Sequence, residues 1–293
     1  MSTVRQPVLS GTWYPADRTD LGREVDRYLA GADPDARPAG RALLAVVPHA
    51  GYAYSGPCAG KAYGLLRADR PARVVILSPN HRTPLVRCAL PGVEAFATPL
   101  GTIRVDTDAC NRLAGSPGYV RAEPAHAAEH AVEIQLPFLQ RLWPEDPPAI
   151  VPVLVPRLDD RVRTEAAVAL AELWDERTLV VVSSDFTHYG AAYGYVPFSD
   201  NIPEELEKLD AGAVLKILAG DAAGLLEYGR RTGITMCGLE AAALALACGL
   251  PPGYEAALVD YRRSADLNGD YSMSVSYAAI LICSGTDTKE SHD

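Results

Sequence analysis

Residues 41–63 read RALLAVVPHAGYAYSGPCAGKAY, and this stretch sets the fold class. Positions 43–47 form a short apolar run between Arg41 and Pro48, the pattern of a fully buried parallel strand. It runs into Pro48-His49-Ala50-Gly51, after which Ala59, Ala62, Tyr63 and Leu66 fall at helical spacing. Ser55 or Gly56 is placed to cap that helix, with Pro57 in its first turn. The order is strand, glycine-containing loop, helix. Ligands of open α/β sheets bind beyond the carboxyl ends of the strands, so His49 stands where chemistry is expected.

The pattern recurs. Residues 73–78 (RVVILS) are a second buried strand running into Pro79-Asn80-His81, and 178–183 (TLVVVS) a third, running into Ser184-Asp185-Phe186-Thr187-His188. A helix at 20–29 precedes all three, and a strand at 86–90 and a hairpin over 95–105 that turns near Gly101 lie between the second and third. A short helix starts at Asp106 or Thr107, and Pro137 starts or kinks another within 129–142. Residues 149–155 read as a strand made irregular, or kept near an edge, by Pro152. Helices follow at 161–174, 203–219, 221–229 and 239–248, and strands at 255–261 and 274–283 close the chain. Strands alternating with helices predict an α/β fold: one domain over 1–293, a three-layer α/β/α sandwich with a mainly parallel or mixed sheet. Residues 1–40 are the irregular lead-in and first helix, and 284–293 a flexible tail.

Composition narrows the function classes. The 293 residues are 48% hydrophobic and 22% charged, enough for a substantial core. A net charge of -10 with scattered basic residues argues against nucleic acid as a partner. Apolar stretches are too short to span a membrane, and no secretory signal opens the chain, so a cytoplasmic location is expected. The six cysteines lack CxxC spacing and predict free thiols.

Three strands that each deliver a histidine to the same rim can bring imidazoles together, and neutral imidazole is a ligand for iron, copper and zinc. His49 and His81 lead such a set. His188 follows Asp185 by three residues, so the carboxylate is placed to hold one ring nitrogen; His188 is then a third ligand or an acid/base group. Cys237, at a loop-to-helix junction, is a structural thiol or a ligand. His126 and His130 flank Glu129 without the His-Glu-x-x-His order, so no second metal site is expected there. Glu129 and His130 line the pocket or lock a helix by hydrogen bonds. Tyrosines near these loops, Tyr52 and Tyr54 among them, either line an aromatic cleft or pack ordinarily. Walker, GxGxxG and Gly-x-Ser-x-Gly motifs are absent.

The motifs GTWYP (11–15), PHAGYAYSG (48–56), LSPNH (77–81), TPLG (98–101), EHAVEIQLPFLQ (129–140), SSDFTHYG (183–190), MCGLEAAA (236–243) and SVSYAA (274–279) together resemble the Memo family, also called AmmeMemoRadiSam system protein B. The resemblance implies a fold similar to class III extradiol (LigB-type) dioxygenases. It implies one mononuclear metal ion held by His49, His81 and Cys237, with iron(II) favoured and copper or zinc as alternatives. It further implies His188 as acid/base with Asp185 beside it. A small aromatic substrate would then meet Trp13, Tyr52, Tyr54, Glu129 and His130. The expected function is metal-dependent redox chemistry of dioxygenase type. The rivals are a metal-independent module binding a peptide or small ligand in the same cleft, and a zinc hydrolase.

Overall fold

The computed structural model describes residues 3–286. Its strands are β1 (Val4–Arg5), β2 (Ala42–Val47), β3 (Arg73–Pro79), β4 (Cys88–Leu90), β5 (Ala95–Thr98), β6 (Gly101–Arg104), β7 (Tyr119–Arg121), β8 (Ala149–Val155), β9 (Thr178–Ser183), β10 (His188–Gly190), β11 (Glu255–Arg263) and β12 (Met273–Cys283). Nine of them form one sheet in the order β10-β12-β2-β9-β3-β8-β4-β7, with β11 also paired to β12. Its centre, β2-β9-β3-β8, is parallel, while β12 runs antiparallel to β2 and β4 antiparallel to β8. The sheet is therefore mixed. β1, β5 and β6 make a separate small sheet that contains the expected hairpin.

Both faces of the large sheet carry helices. α1 (Arg18–Leu29), α2 (Tyr52–Leu65) and α5 (Leu136–Leu142) pack on one another, with α2 against β2 and β12. α6 (Asp160–Ala171), α7 (Ile202–Leu218), α8 (Ala222–Thr232) and α9 (Leu239–Ala247) form the other group, with α9 against β3 and β9. The short helices α3 (Thr107–Ala114) and α4 (Glu123–Ala128) adjoin the β7 and β4 side. This is the α/β/α sandwich expected of the sequence. All six residues of β2 and of β9 are buried, which is why those strands are apolar without alternation. Among the described residues, no helix is long and apolar enough to cross a membrane.

Two local readings need correction. α2 begins at Tyr52, with Gly51 as its N-cap, so Ser55 and Pro57 are interior to it. Tertiary anchoring starts the helix early: Tyr52 N donates to Trp13 O at 2.9 Å, and the Ser55 hydroxyl to Ala50 O at 2.7 Å. β8 lies inside the sheet and not at its edge, its seven residues in register with β3. Pro152 has the parity of Ile150 and Leu154, which are bridged on the opposite side to Val105 and Ala89. Its missing N–H thus faces a gap between those bridges and costs no ladder bond. Of the expected tail, Ser284 is held by Arg41, its N donating to Arg41 O at 2.8 Å; residues 287–293 lie outside the described residues.

The α1–α2 contact leaves no room for a side chain at Gly60, where a Cβ would stand 2.4 Å from Tyr28 Cβ. Gly60→Ala is expected to cost about 1–3 kcal/mol in urea unfolding. An unchanged midpoint would mean that the two helices part freely.

Candidate metal centre

β9 lies between β2 and β3, and all three run the same way. Their exits are therefore neighbours, and they deliver His49, His81 and the Asp185–His188 loop to one rim. Ring centroids of His49 and His81 are 5.4 Å apart. His130, from the segment after α4, joins them at 5.5 Å from His49 and 4.8 Å from His81. One ligand nitrogen from each of these three histidines lies within 4.8 Å of the others, a group that could hold a single metal ion.

Hydrogen bonds decide which nitrogen each ring presents. Ser183 Oγ donates its one hydrogen to Ala131 O at 2.7 Å, and accepts from Gln135 Nε2 at 2.8 Å. Toward His49 Nδ1, 3.0 Å away, it can only accept, so Nδ1 carries the proton and Nε2 the lone pair. Gln135 is itself fixed, accepting from Tyr63 OH and donating to Pro48 O. Burial, with His81 next, lowers the His49 pKa to about 3, so the ring is neutral.

Glu129 organises the other two rings. Its carboxylate accepts from His81 N (2.8 Å), His81 Nδ1 (3.0 Å), His130 N (2.8 Å) and Ala131 N (3.1 Å). Burial raises this carboxyl, but the bonds from His81 outweigh it and hold the pKa near 2. An ionised acceptor fixes the proton on His81 Nδ1 and leaves Nε2 free, the carboxylate–histidine arrangement that orients metal ligands. His130 Nδ1 lies 3.1 Å from the same oxygen, yet is buried without a hydrogen bond. Burial, then His49, keeps the ring neutral with a pKa of about 4. A buried imidazole nitrogen without a partner, beside two further imidazoles and an ionised carboxylate, fits a divalent cation.

The remaining site residues fall out differently from the sequence reading. His188 Nδ1 faces two carbonyls, Phe186 O at 3.0 Å and Thr235 O at 3.1 Å, so it also carries its proton on Nδ1. Asp185 does not hold that ring. Its Oδ1 accepts from His49 N at 2.7 Å, and Oδ2 stands 3.9 Å from His49 Nε2. Burial pushes the Asp185 carboxyl up. His130 joins His49 and His81 in the group that could hold an ion, and Cys237, expected as the third ligand, stands beside that group. Cys237 Sγ lies outside the three-histidine group, 3.2 Å from His49 Nε2 and 3.2 Å from the donating Asp185 N. Burial, then Asp185, pushes its thiol up. Tyr52 is a second correction: it is buried among Tyr14, Tyr28 and Phe138, its hydroxyl spent on Ile134 O, and does not face the cleft.

A cleft of about 780 Å³ opens over the histidines, walled by Trp13, Tyr54, Tyr193 and Tyr277, and reaching Asp185 and His188. Trp13 meets the edge of His130 at 4.8 Å. It is held there by a buried pair that the sequence reading missed. Arg5 binds Glu133 Oε2 at 2.7 Å, and Glu133 in turn accepts from Val8 N, Leu9 N and Tyr14 OH. Arg5 also donates to the carbonyls of His126 and Glu129, tying the lead-in to the segment that carries His130. His126 itself is buried and donates Nε2–H to Ala89 O, with no part in the cleft.

Fold and site together define an α/β/α protein with a histidine-built candidate metal centre at the carboxyl rim of its parallel strands. The chain belongs to the Memo-like protein family, whose profile matches residues 5–281. It is 36% identical to a MEMO1 family protein of Methanopyrus kandleri over 96% of this chain and 99% of that one. It is 32% identical to the protein MEMO1 of Xenopus laevis over 95% and 97%. An uncharacterised protein from Escherichia coli K12, of known crystal structure, superposes with a TM-score of 0.49 and 15% identity, over 82% of this chain and 99% of that one.

Replacing Glu129 by Gln is expected to weaken zinc binding about 10–100-fold in a competition titration, with the circular dichroism unchanged. Equal affinity would remove Glu129 from the centre. The histidine pKa values set a pH dependence as well. His49, His126 and His130 titrate at about 3, 4 and 4 in the fold, below the 6.5 of an unperturbed ring. The unfolded chain therefore takes up protons first. The metal-free chain should lose denaturant resistance as pH falls from about 6.5 towards 4, and a midpoint that stays level would contradict the burial.

Proposed function

We propose that the chain is a non-haem metal oxidoreductase that reacts a small aromatic, catechol-like substrate with dioxygen. The observation that carries this reading is the three-imidazole group on a cleft with aromatic walls. His49, His81 and His130 are the ligands, and Cys237 is the additional donor on the His49 side. A bound iron(II) ion would supply a Lewis acid and the one-electron chemistry that lets a catechol and dioxygen react. Copper or zinc are the alternatives that a thiolate donor favours.

The chain's own residues do the rest. Trp13 and Tyr54 line the cleft where a flat substrate would lie and keep water from it. His188, protonated on Nδ1, offers the bare Nε2 to a phenolic hydroxyl and takes its proton. Thr235 holds that histidine by both backbone groups, its hydroxyl accepting from His188 N and donating to His188 O. Both oxygen atoms of dioxygen enter the ring-opened product, so no separate reductant is required. The second reading, a zinc hydrolase, is favoured by the charge-neutral imidazole set, which also suits a zinc-bound water.

Anaerobic loading with iron(II), then oxygen uptake across a panel of catechols, tests the proposal. One metal per chain and one dioxygen per ring opened are expected, with His188→Asn slowing turnover at least about 100-fold while metal content holds. Metal retained in His49→Ala/His81→Ala, or uptake indifferent to chelation, would overturn it. Zinc alone on purification, without oxygen uptake, selects the hydrolase.

A further inference from the structure

The centre has a second approach. A cavity of about 640 Å³, separate from the aromatic cleft, ends on His81 and Cys237; His81 lines both spaces, whereas Cys237 lines only this one. Its lining is mixed: Val155, Leu226, Met236 and Leu239 are apolar, Asp160 and Glu240 are acidic, and three arginines, Arg157, Arg163 and Arg230, stand among them. Arg163 is neutralised by Glu240 at 3.0 Å and by Asp160 at 2.6 Å. Arg157 is exposed and makes no ion pair among the described residues. Arg230 pairs with Glu227 at 2.8 Å, but both side chains are more than half exposed, and such a pair is worth little and exchanges readily. Two guanidiniums are thus available at this cavity in a chain whose net charge is -10.

We infer that this cavity admits a small organic anion, a carboxylate-bearing molecule of a few carbons, which Arg157 and Arg230 hold while its apolar part descends to Cys237 and His81. The inference deepens the proposed function, because it rests on His81 and Cys237 being the wall of the centre. It gives two ligand classes separate approaches: a flat aromatic from the Trp13–Tyr54 side, and an organic anion, which takes no part in the oxygen chemistry, from the arginine side. Neither has to leave for the other to enter.

The test uses the full chain, stripped of metal by chelator, and two alkylating reagents of similar size. Iodoacetate carries the carboxylate and iodoacetamide does not, and modification of Cys237 is read by peptide mass spectrometry. At about pH 8, the iodoacetate-to-iodoacetamide rate ratio at Cys237 should exceed that of the same cysteine in the urea-unfolded chain by about threefold or more. Arg157→Glu/Arg230→Glu, both at the surface, should bring the ratio to or below the unfolded value and leave the iodoacetamide rate unchanged. Raising sodium chloride to about 0.5 M should erase the preference. 4-Nitrocatechol, offered to the aromatic cleft, should not slow either reagent. No modification of Cys237 in the folded chain, a ratio indifferent to the two substitutions, or protection by nitrocatechol would each overturn the inference. Since the readout is thiol alkylation without metal, failure of the oxygen chemistry would leave it untouched.

Discussion

One buried carboxylate holds the rim together. Glu129 is 2% exposed and receives N–H groups from His81, His130 and Ala131 as well as the His81 ring. A charge removed from water is tolerable only when its lone pairs are filled, and here the filling groups are the candidate ligands themselves. The histidine loop after β3 and the segment after α4 share no strand, and this anion registers one against the other along with the stacking of His81 on His130. Arg5 extends the constraint by binding the Glu129 carbonyl and the Glu133 carboxylate together. The N-terminal residues thereby become part of the site, and Trp13 arrives at the cleft because Glu133 gathers the backbone ahead of it.

The same logic governs ring chemistry. His49, His81 and His188 each give the Nδ1 proton to an oxygen of the scaffold: a hydroxyl whose own hydrogen is committed, an ionised carboxylate, and a pair of carbonyls. In each, Nε2 is left as the lone-pair atom. His126 is the contrast, donating through Nε2 to Ala89 O from a buried position. Parallel strands supply position, and these acceptors supply the tautomer. Neither suffices alone for a ligand set.

Much of this was legible in the sequence. Three apolar runs ending in histidine loops gave the parallel centre, the rim and the pairing of His49 with His81. The residue pattern also brought in Glu129, His188 and the tyrosines, and family resemblance added the acid/base role of His188. What escaped was set by contacts distant in the chain. His188 Nδ1 takes its partner from Thr235, 47 residues on, so the nearer Asp185 was the natural but mistaken choice. His130 reaches the centre through the Glu129 hub rather than by motif spacing. Tyr52 sits beside the His49 loop in sequence, yet α2 starts there and turns it inward. The Arg5–Glu133 pair joins residues 128 apart, and although Glu133 lies within EHAVEIQLPFLQ, Arg5 lies outside every motif block.

The central claim is that scaffold hydrogen bonds aim the Nε2 atoms of His49 and His81 at a common ion. Long-range proton–nitrogen correlation NMR on the metal-free chain at neutral pH reads ring tautomers directly. The account predicts Nδ1-protonated rings for His49, His81 and His188, an Nε2-protonated ring for His126, and large shifts of the His49 and His81 Nε2 resonances on adding one equivalent of zinc. An Nε2-protonated ring at His49 or His81, or Nε2 signals that ignore the metal, would contradict it.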